Sequence, residues 1–94
     1  MLSAIVLLTT ERDQTKRVAE ALADTEGVSE VYSVAGRFDL AAIVRASDND
    51  QLADIVTERI RALPGITSSE TLIAFRVYSR HDLERMFSIG LEKA

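Results

Sequence analysis

The 94 residues, 47% hydrophobic and 28% charged with one proline and four glycines, suit a single folded domain over residues 1–94 and argue against disorder. Eleven basic against fifteen acidic residues give a net charge of -4, the wrong sign for a chain that grips nucleic acid through counterion release, so no direct nucleic-acid partner is expected. The absence of cysteine excludes disulfides, thiolate nucleophiles and zinc–thiolate sites.

Leu2 to Thr9 is apolar at both parities, with Leu2, Ala4, Val6 and Leu8 on one face and Ile5 and Leu7 on the other. That pattern predicts a strand buried on both sides. The run lacks a basic flank and is far shorter than the ~20 residues of a membrane span, so no membrane partner and a cytoplasmic location are expected. Thr10 with Asp13 resembles a helix start, and Val18, Leu22 and the alanines at 19, 21 and 23 mark a helix over Glu11 to Asp24 that stops before Gly27.

Val28 to Ala35 reads as the second strand, with Val28, Tyr32 and Val34 at one parity and Val31 and Ala35 at the other. The stretch Gly36-Arg37-Phe38-Asp39-Leu40 turns the chain into a third strand over Phe38 to Ala46, a central hairpin in which glycine permits a positive φ. Asp48 with Gln51 is a second capping signal, and Leu52, Ile55, Val56, Ile60 and Leu63 form the clearest helical stripe. Pro64-Gly65 ends it, Thr67 to Tyr78 reads as the fourth strand, and Ser79 to Leu91 as a short C-terminal helix.

Both helices lead into a strand through glycine followed by a β-branched residue, Gly27-Val28 and Gly65-Ile66. The halves therefore form βαβ units joined by the hairpin: an α+β, ferredoxin-like βαββαβ fold, with a four-stranded antiparallel sheet carrying two helices on one face. Strands that are apolar at both parities then leave the opposite face uncovered. About eight side chains buried there at ~1.5 to 3 kcal/mol each outweigh most estimates of the ~4 to 15 kcal/mol that association costs, which predicts a homodimer packed sheet to sheet, a dimeric α+β barrel.

The residues offer no catalytic apparatus. His81, the single histidine, lacks an orienting partner and reads as a surface residue. Asp48, Asp50 and Asp54 fit no calcium loop and suit a helix N-terminus, so no metal and no cofactor are expected. Hydroxyls at Thr9, Thr10, Ser47, Ser68, Ser69 and Thr71 lie near strand ends without a nucleophile elbow or phosphate loop. Arg37 and Asp39 differ, because opposite charges beside a glycine suit the carboxylate and ammonium of a zwitterion. The same turn also reads as purely structural.

The succession from Val31 to Leu40, followed by that from Leu63 to Ile73, resembles the ligand-binding, oligomerising domain of Lrp/AsnC transcription regulators. The Gly-x-(Tyr/Phe)-Asp turn and the Leu-Pro-Gly-(Val/Ile) junction stand at matching points, and the likeness covers nearly the whole chain. Resemblance implies a βαββαβ domain that dimerises sheet to sheet, assembles into octamer-like rings and binds amino acids where dimers meet. It makes Gly36, Arg37, Phe38 and Asp39 the ligand loop, with Asp48 and Thr71 as neighbours. A full-length regulator carries a helix-turn-helix before this domain, whereas here the chain opens on the first strand. The resemblance thus implies a stand-alone effector module, non-enzymatic, acting indirectly in transcriptional regulation of amino-acid metabolism or by assembling with a full-length relative. Two other readings stand beside it: a small dimeric α+β barrel enzyme such as a cofactor-independent monooxygenase, and a purely structural assembly subunit.

Overall fold

The computed structural model describes residues 1–78 and Arg80. Among the described residues, four strands and two helices follow one another as β1 (Leu2–Thr10), α1 (Thr15–Ala23), β2 (Val28–Ser33), β3 (Leu40–Ala46), α2 (Asn49–Asp54, continuing as a π-helical segment Ile55–Ile60) and β4 (Ile66–Ala74). The strands form one antiparallel sheet in the order β2-β3-β1-β4, the ferredoxin-like arrangement expected. Apart from Arg80, the C-terminal helix expected from Ser79 onward, including His81, lies outside the described residues.

Strand alternation decides where the core sits. Ala4, Val6 and Leu8 of β1 and Leu40, Ala42, Val44 and Ala46 of β3 are buried against Val18 and Leu22 of α1 and Leu52, Ile55 and Ile60 of the second helix. The alternate residues Ile5, Leu7, Ala41 and Ile43 point to the opposite, uncovered face and are only half-buried. Leu72, paired with Ile5, and Tyr32, paired with Ala41, extend that face and are 45% and 49% exposed.

Several boundaries and one parity differ from the sequence reading. The first helix begins at Thr15 rather than Glu11, and its N-cap is Gln14 with no side-chain cap bond. Thr10 cannot cap it, because Thr10 is still part of β1 and pairs with Ile66. Residues 11–14 instead form a turn closed by Gln14 N–H to Glu11 O at 3.0 Å and tied to the other half by Glu11 N–H to Gly65 O at 2.9 Å. On β2 the register shifts between Val28, opposite Val44, and Glu30, opposite Ile43, so Ser29 is a bulge whose hydroxyl donates to Ile43 O at 3.2 Å. The extra residue places both Val28 and Val31 against the core, where simple alternation separates them.

The hairpin strands are shorter than expected, β2 ending at Ser33 and β3 starting at Leu40. β4 ends at Ala74 rather than Tyr78, its last pairing being Ala74 with Ser3, one residue from the start of β1. The second helix starts as expected, with the Asp48 carboxylate accepting Gln51 N–H at 2.8 Å. Its second half winds more widely, with Arg61 N–H bonding Val56 O five residues back. Residues five apart then stack, bringing Ile55 and Ile60 onto the same buried side. The two half-repeats match, since Gly27 and Gly65 hold φ of +98° and +96° at equivalent helix-to-strand corners.

Candidate functional site

The β2–β3 turn stands at the end of the sheet where β1 finishes and β4 begins. Asp39 fixes it there with three bonds: its N–H donates to Leu8 O at 2.8 Å, its carbonyl accepts Val34 N–H at 3.0 Å, and its Oδ2 accepts Thr10 N–H at 2.9 Å. The Thr10 hydroxyl lies 3.5 Å from the same oxygen and 2.6 Å from the hydroxyl of Thr15. A half-buried carboxylate therefore tethers the hairpin to β1 and, through the two threonines, to the first turn of α1.

The rest of the turn is open. Gly36 takes φ of +133° with nothing near where a Cβ would project, so backbone conformation rather than space demands glycine there. The Arg37 guanidinium sits 5.7 Å from the centre of the half-buried Phe38 ring, a cation–π contact that orients an exposed charge. Among the described residues, Asp39 Oδ1 accepts no hydrogen bond, and the amides of residues 35–38 donate to no backbone carbonyl. A carboxylate oxygen and four amides without partners among the described residues, together with a guanidinium, thus lie within residues 35–39. That set suits a molecule carrying an ammonium and a carboxylate a few ångströms apart.

Asp48 and Thr71 are not gathered there within one chain. Asp48 follows the far end of β3, roughly 20 Å from Asp39 by strand rise, and is engaged as the helix cap. Thr71 pairs with Val6, four residues and so roughly 13 Å along β1 from Thr10, on the helix side of the β4 edge. Conversely, sequence reasoning assigned Thr10 to a cap and so missed it as the partner of Asp39. The signal was in the pairing: once Leu8 faces Leu40, the residues that flank them at this end must meet. The acidic residues after β3 are separately occupied, Asp48 by its cap and Asp54 by Arg59 at 3.4 Å. Among the described residues no helix is long and apolar enough to cross a membrane.

On the uncovered sheet face, a cavity of about 280 Å³ is lined by residues that include Ile5, Ile43, Ala74, Glu30, Tyr32 and Arg45. The Tyr32 hydroxyl donates to Glu30 Oε2 at 2.6 Å. That hydrogen bond, reinforced by the carboxylate charge, raises the Tyr32 phenol above its ordinary pKa.

Comparison with known proteins gives a consistent picture. A sequence model of the Lrp/AsnC ligand binding domain matches residues 3–83. The fold superposes on TTHA0845 from Thermus thermophilus with a TM-score of 0.79 and 44% identity, over 85% of this chain and 100% of that one. An HTH-type transcriptional regulator of Pyrococcus furiosus is 38% identical over 60 residues, covering 64% of this chain and 40% of the relative. The chain thus spans about two-fifths of the length of the first curated relatives it matches. The feast or famine regulatory protein Rv3291c of M. tuberculosis, solved in complex with L-methionine, matches with a TM-score of 0.70 and 28% identity over 85% of this chain and 54% of that one.

Proposed function

The chain belongs to the Lrp/AsnC ligand-binding domain family, and from that membership we propose that it is a small-molecule effector module that binds an amino acid at the turn of residues 36–39. The observation that carries this reading is that Asp39 Oδ1 and the amides of residues 36–38 have no hydrogen-bond partner among the described residues. In the proposed complex Asp39 accepts the ligand ammonium, while the turn amides and Arg37 donate to its carboxylate. The L-methionine held by a 28% identical relative supports an amino acid as the ligand class. Asp48 and Thr71, distant within one chain, join the site only if a neighbouring copy supplies them.

The same reading includes assembly. The half-exposed Ile5, Leu7, Tyr32, Ile43 and Leu72 on the uncovered face gain roughly 1 to 1.5 kcal/mol each when a second copy covers them, about 10 to 15 kcal/mol over both protomers. Association costs an estimated ~4 to 15 kcal/mol, so a sheet-to-sheet homodimer is favoured over most of that range. Dimers assemble further into an octamer-like ring or with a full-length relative, and the module acts in the cytoplasm on transcription of amino-acid metabolism without catalysis and without touching DNA.

The test is a thermal-shift screen against the twenty amino acids, with light scattering on the same samples. Ligand at a hundredfold excess over Kd stabilises by ~2.7 kcal/mol, a shift well above the noise of such a scan. A hit with one or a few amino acids supports the effector reading. No shift for any of them, with a stable assembly present, favours a structural subunit.

A further inference from the structure

The charged residues of the uncovered sheet face stand in a symmetric pattern. Ser3, Ile5 and Leu7 of β1 share that face, with Arg45 of β3 paired to Ser3 and Glu70 of β4 paired to Leu7. Because β3 and β4 flank β1 on opposite sides, Arg45 and Glu70 occupy diagonal corners of the apolar patch with Ile5 midway between them, roughly 17 Å apart by strand rise and strand spacing. Neither charge is engaged within the chain. Among the described residues neither makes an ion pair, Arg45 reaches only the Ser3 hydroxyl at 3.5 Å, and the Glu70 side chain has no hydrogen bond. Glu30, the other charged strand residue of this face, differs, because its carboxylate already accepts the Tyr32 hydroxyl at 2.6 Å.

Two copies that meet through this face make an isologous contact, so whatever Arg45 touches on the partner must touch Arg45 in return. A two-fold axis running between the sheets over Ile5, at right angles to the line from Arg45 to Glu70, exchanges their positions. It sets Ile5 against the partner's Ile5 and opposes Arg45 to the partner's Glu70 at both corners, with the strands crossing steeply as in orthogonally packed sheets. Sheets stacked face to face lie ~10 Å apart, a gap that one extended arginine and one glutamate span. Both side chains are exposed at the margin of the patch, so the pairs add little to affinity. Their effect is on register, since a juxtaposition of like charges is repulsive.

We propose that the partner of this face is a second copy of the chain, held in one register by two symmetric ion pairs between Arg45 of each protomer and Glu70 of the other. This rests on the sheet-to-sheet reading above and adds what decides which partner fits: a chain that presents a carboxylate to Arg45 and a cation to Glu70.

The experiment is sedimentation equilibrium on the full chain carrying Arg45→Glu, Glu70→Arg or both, with circular dichroism to verify the fold. Each single variant opposes like charges and is expected to weaken dimerisation at least about tenfold. The double variant, and an equimolar mixture of the two single variants, are expected to recover the parental affinity to within about threefold, because each restores two opposite-charge pairs. Single variants that dimerise as tightly as the parent overturn the proposal, as does a double variant that stays folded but monomeric. Recovery in a mixture of Arg45→Glu with Glu30→Arg, and not with Glu70→Arg, gives Arg45 another partner and overturns it too. Ile43→Arg separates this failure from that of the sheet-to-sheet reading. Charge reversals without effect, beside a monomeric Ile43→Arg, overturn the ion pairs alone, whereas an Ile43→Arg variant that dimerises like the parent overturns both.

Discussion

Replacing Asp39 separates its two roles. Its Oδ2 accepts Thr10 N–H at 2.9 Å in a half-buried setting, a hydrogen bond to a charged acceptor whose general range is ~1.5 to 3 kcal/mol. Water reaches this site, so Asp39→Ala is expected to lose about 1 to 2 kcal/mol. For a chain of this size that corresponds to a fall in melting temperature of roughly 5 to 15 °C. Asp39→Asn keeps an oxygen for Thr10 N–H while removing the charge, and is expected to lose about 1 kcal/mol or less. Yet it should lose affinity for an amino acid as fully as Asp39→Ala does, because the ammonium partner is gone in both. The assays are urea unfolding followed by circular dichroism, and calorimetric titration well below the lower melting temperature. An Asp39→Ala variant as stable as the parent shows that the tether contributes nothing. An Asp39→Asn variant that binds as tightly as the parent removes Asp39 from the site.

Other outcomes follow from the same geometry. Gly36→Ala meets no steric obstacle but forces an L-residue to φ of +133°, so it should destabilise by about 1 to 2 kcal/mol in urea unfolding; an unchanged midpoint shows that the turn relaxes freely. Ile43→Arg places a charge at the centre of the uncovered face without touching the core, so light scattering should report a folded monomer, and an undiminished mass disproves sheet-to-sheet pairing. Asp48→Asn retains an excellent cap and should unfold within about 0.5 kcal/mol of the parent, so a loss of ligand affinity in this variant reports a neighbouring copy's carboxylate at the site. The Tyr32 phenol is raised by Glu30, so the stability from their hydrogen bond is present below the unfolded value near 10 and is lost as pH rises through the folded one; Glu30→Ala should bring the absorbance titration of Tyr32 down toward 10.

Much of this architecture is legible in the sequence because it rests on alternation and periodicity. The two-faced apolar pattern of β1 and β3 predicts a sheet with a core on one side and an unmet apolar face on the other, and both are present. The α2 stripe and the Asp48 cap are equally local signals. What alternation does not reveal is where it breaks. Ser29 and Thr67 each insert one residue into a ladder, and each changes which side chains meet: one brings Val28 and Val31 to the same face, the other brings Thr9 onto Thr67 and Ser68. The π winding after Asp54 is likewise set by tertiary packing of Ile55 and Ile60. At the site, the turn itself was readable from Gly36 and Asp39. The role of Thr10 was not, because a threonine before an acidic turn has the same local signature whether it caps a helix or ends a strand.

The measurement that tests the central claim most directly is a crystal structure of the chain with the amino acid that stabilises it most in the thermal screen. The account predicts the ligand ammonium within hydrogen-bond distance of Asp39 and its carboxylate on the amides of residues 36–38. A ligand bound elsewhere, with the 36–39 turn empty, contradicts it.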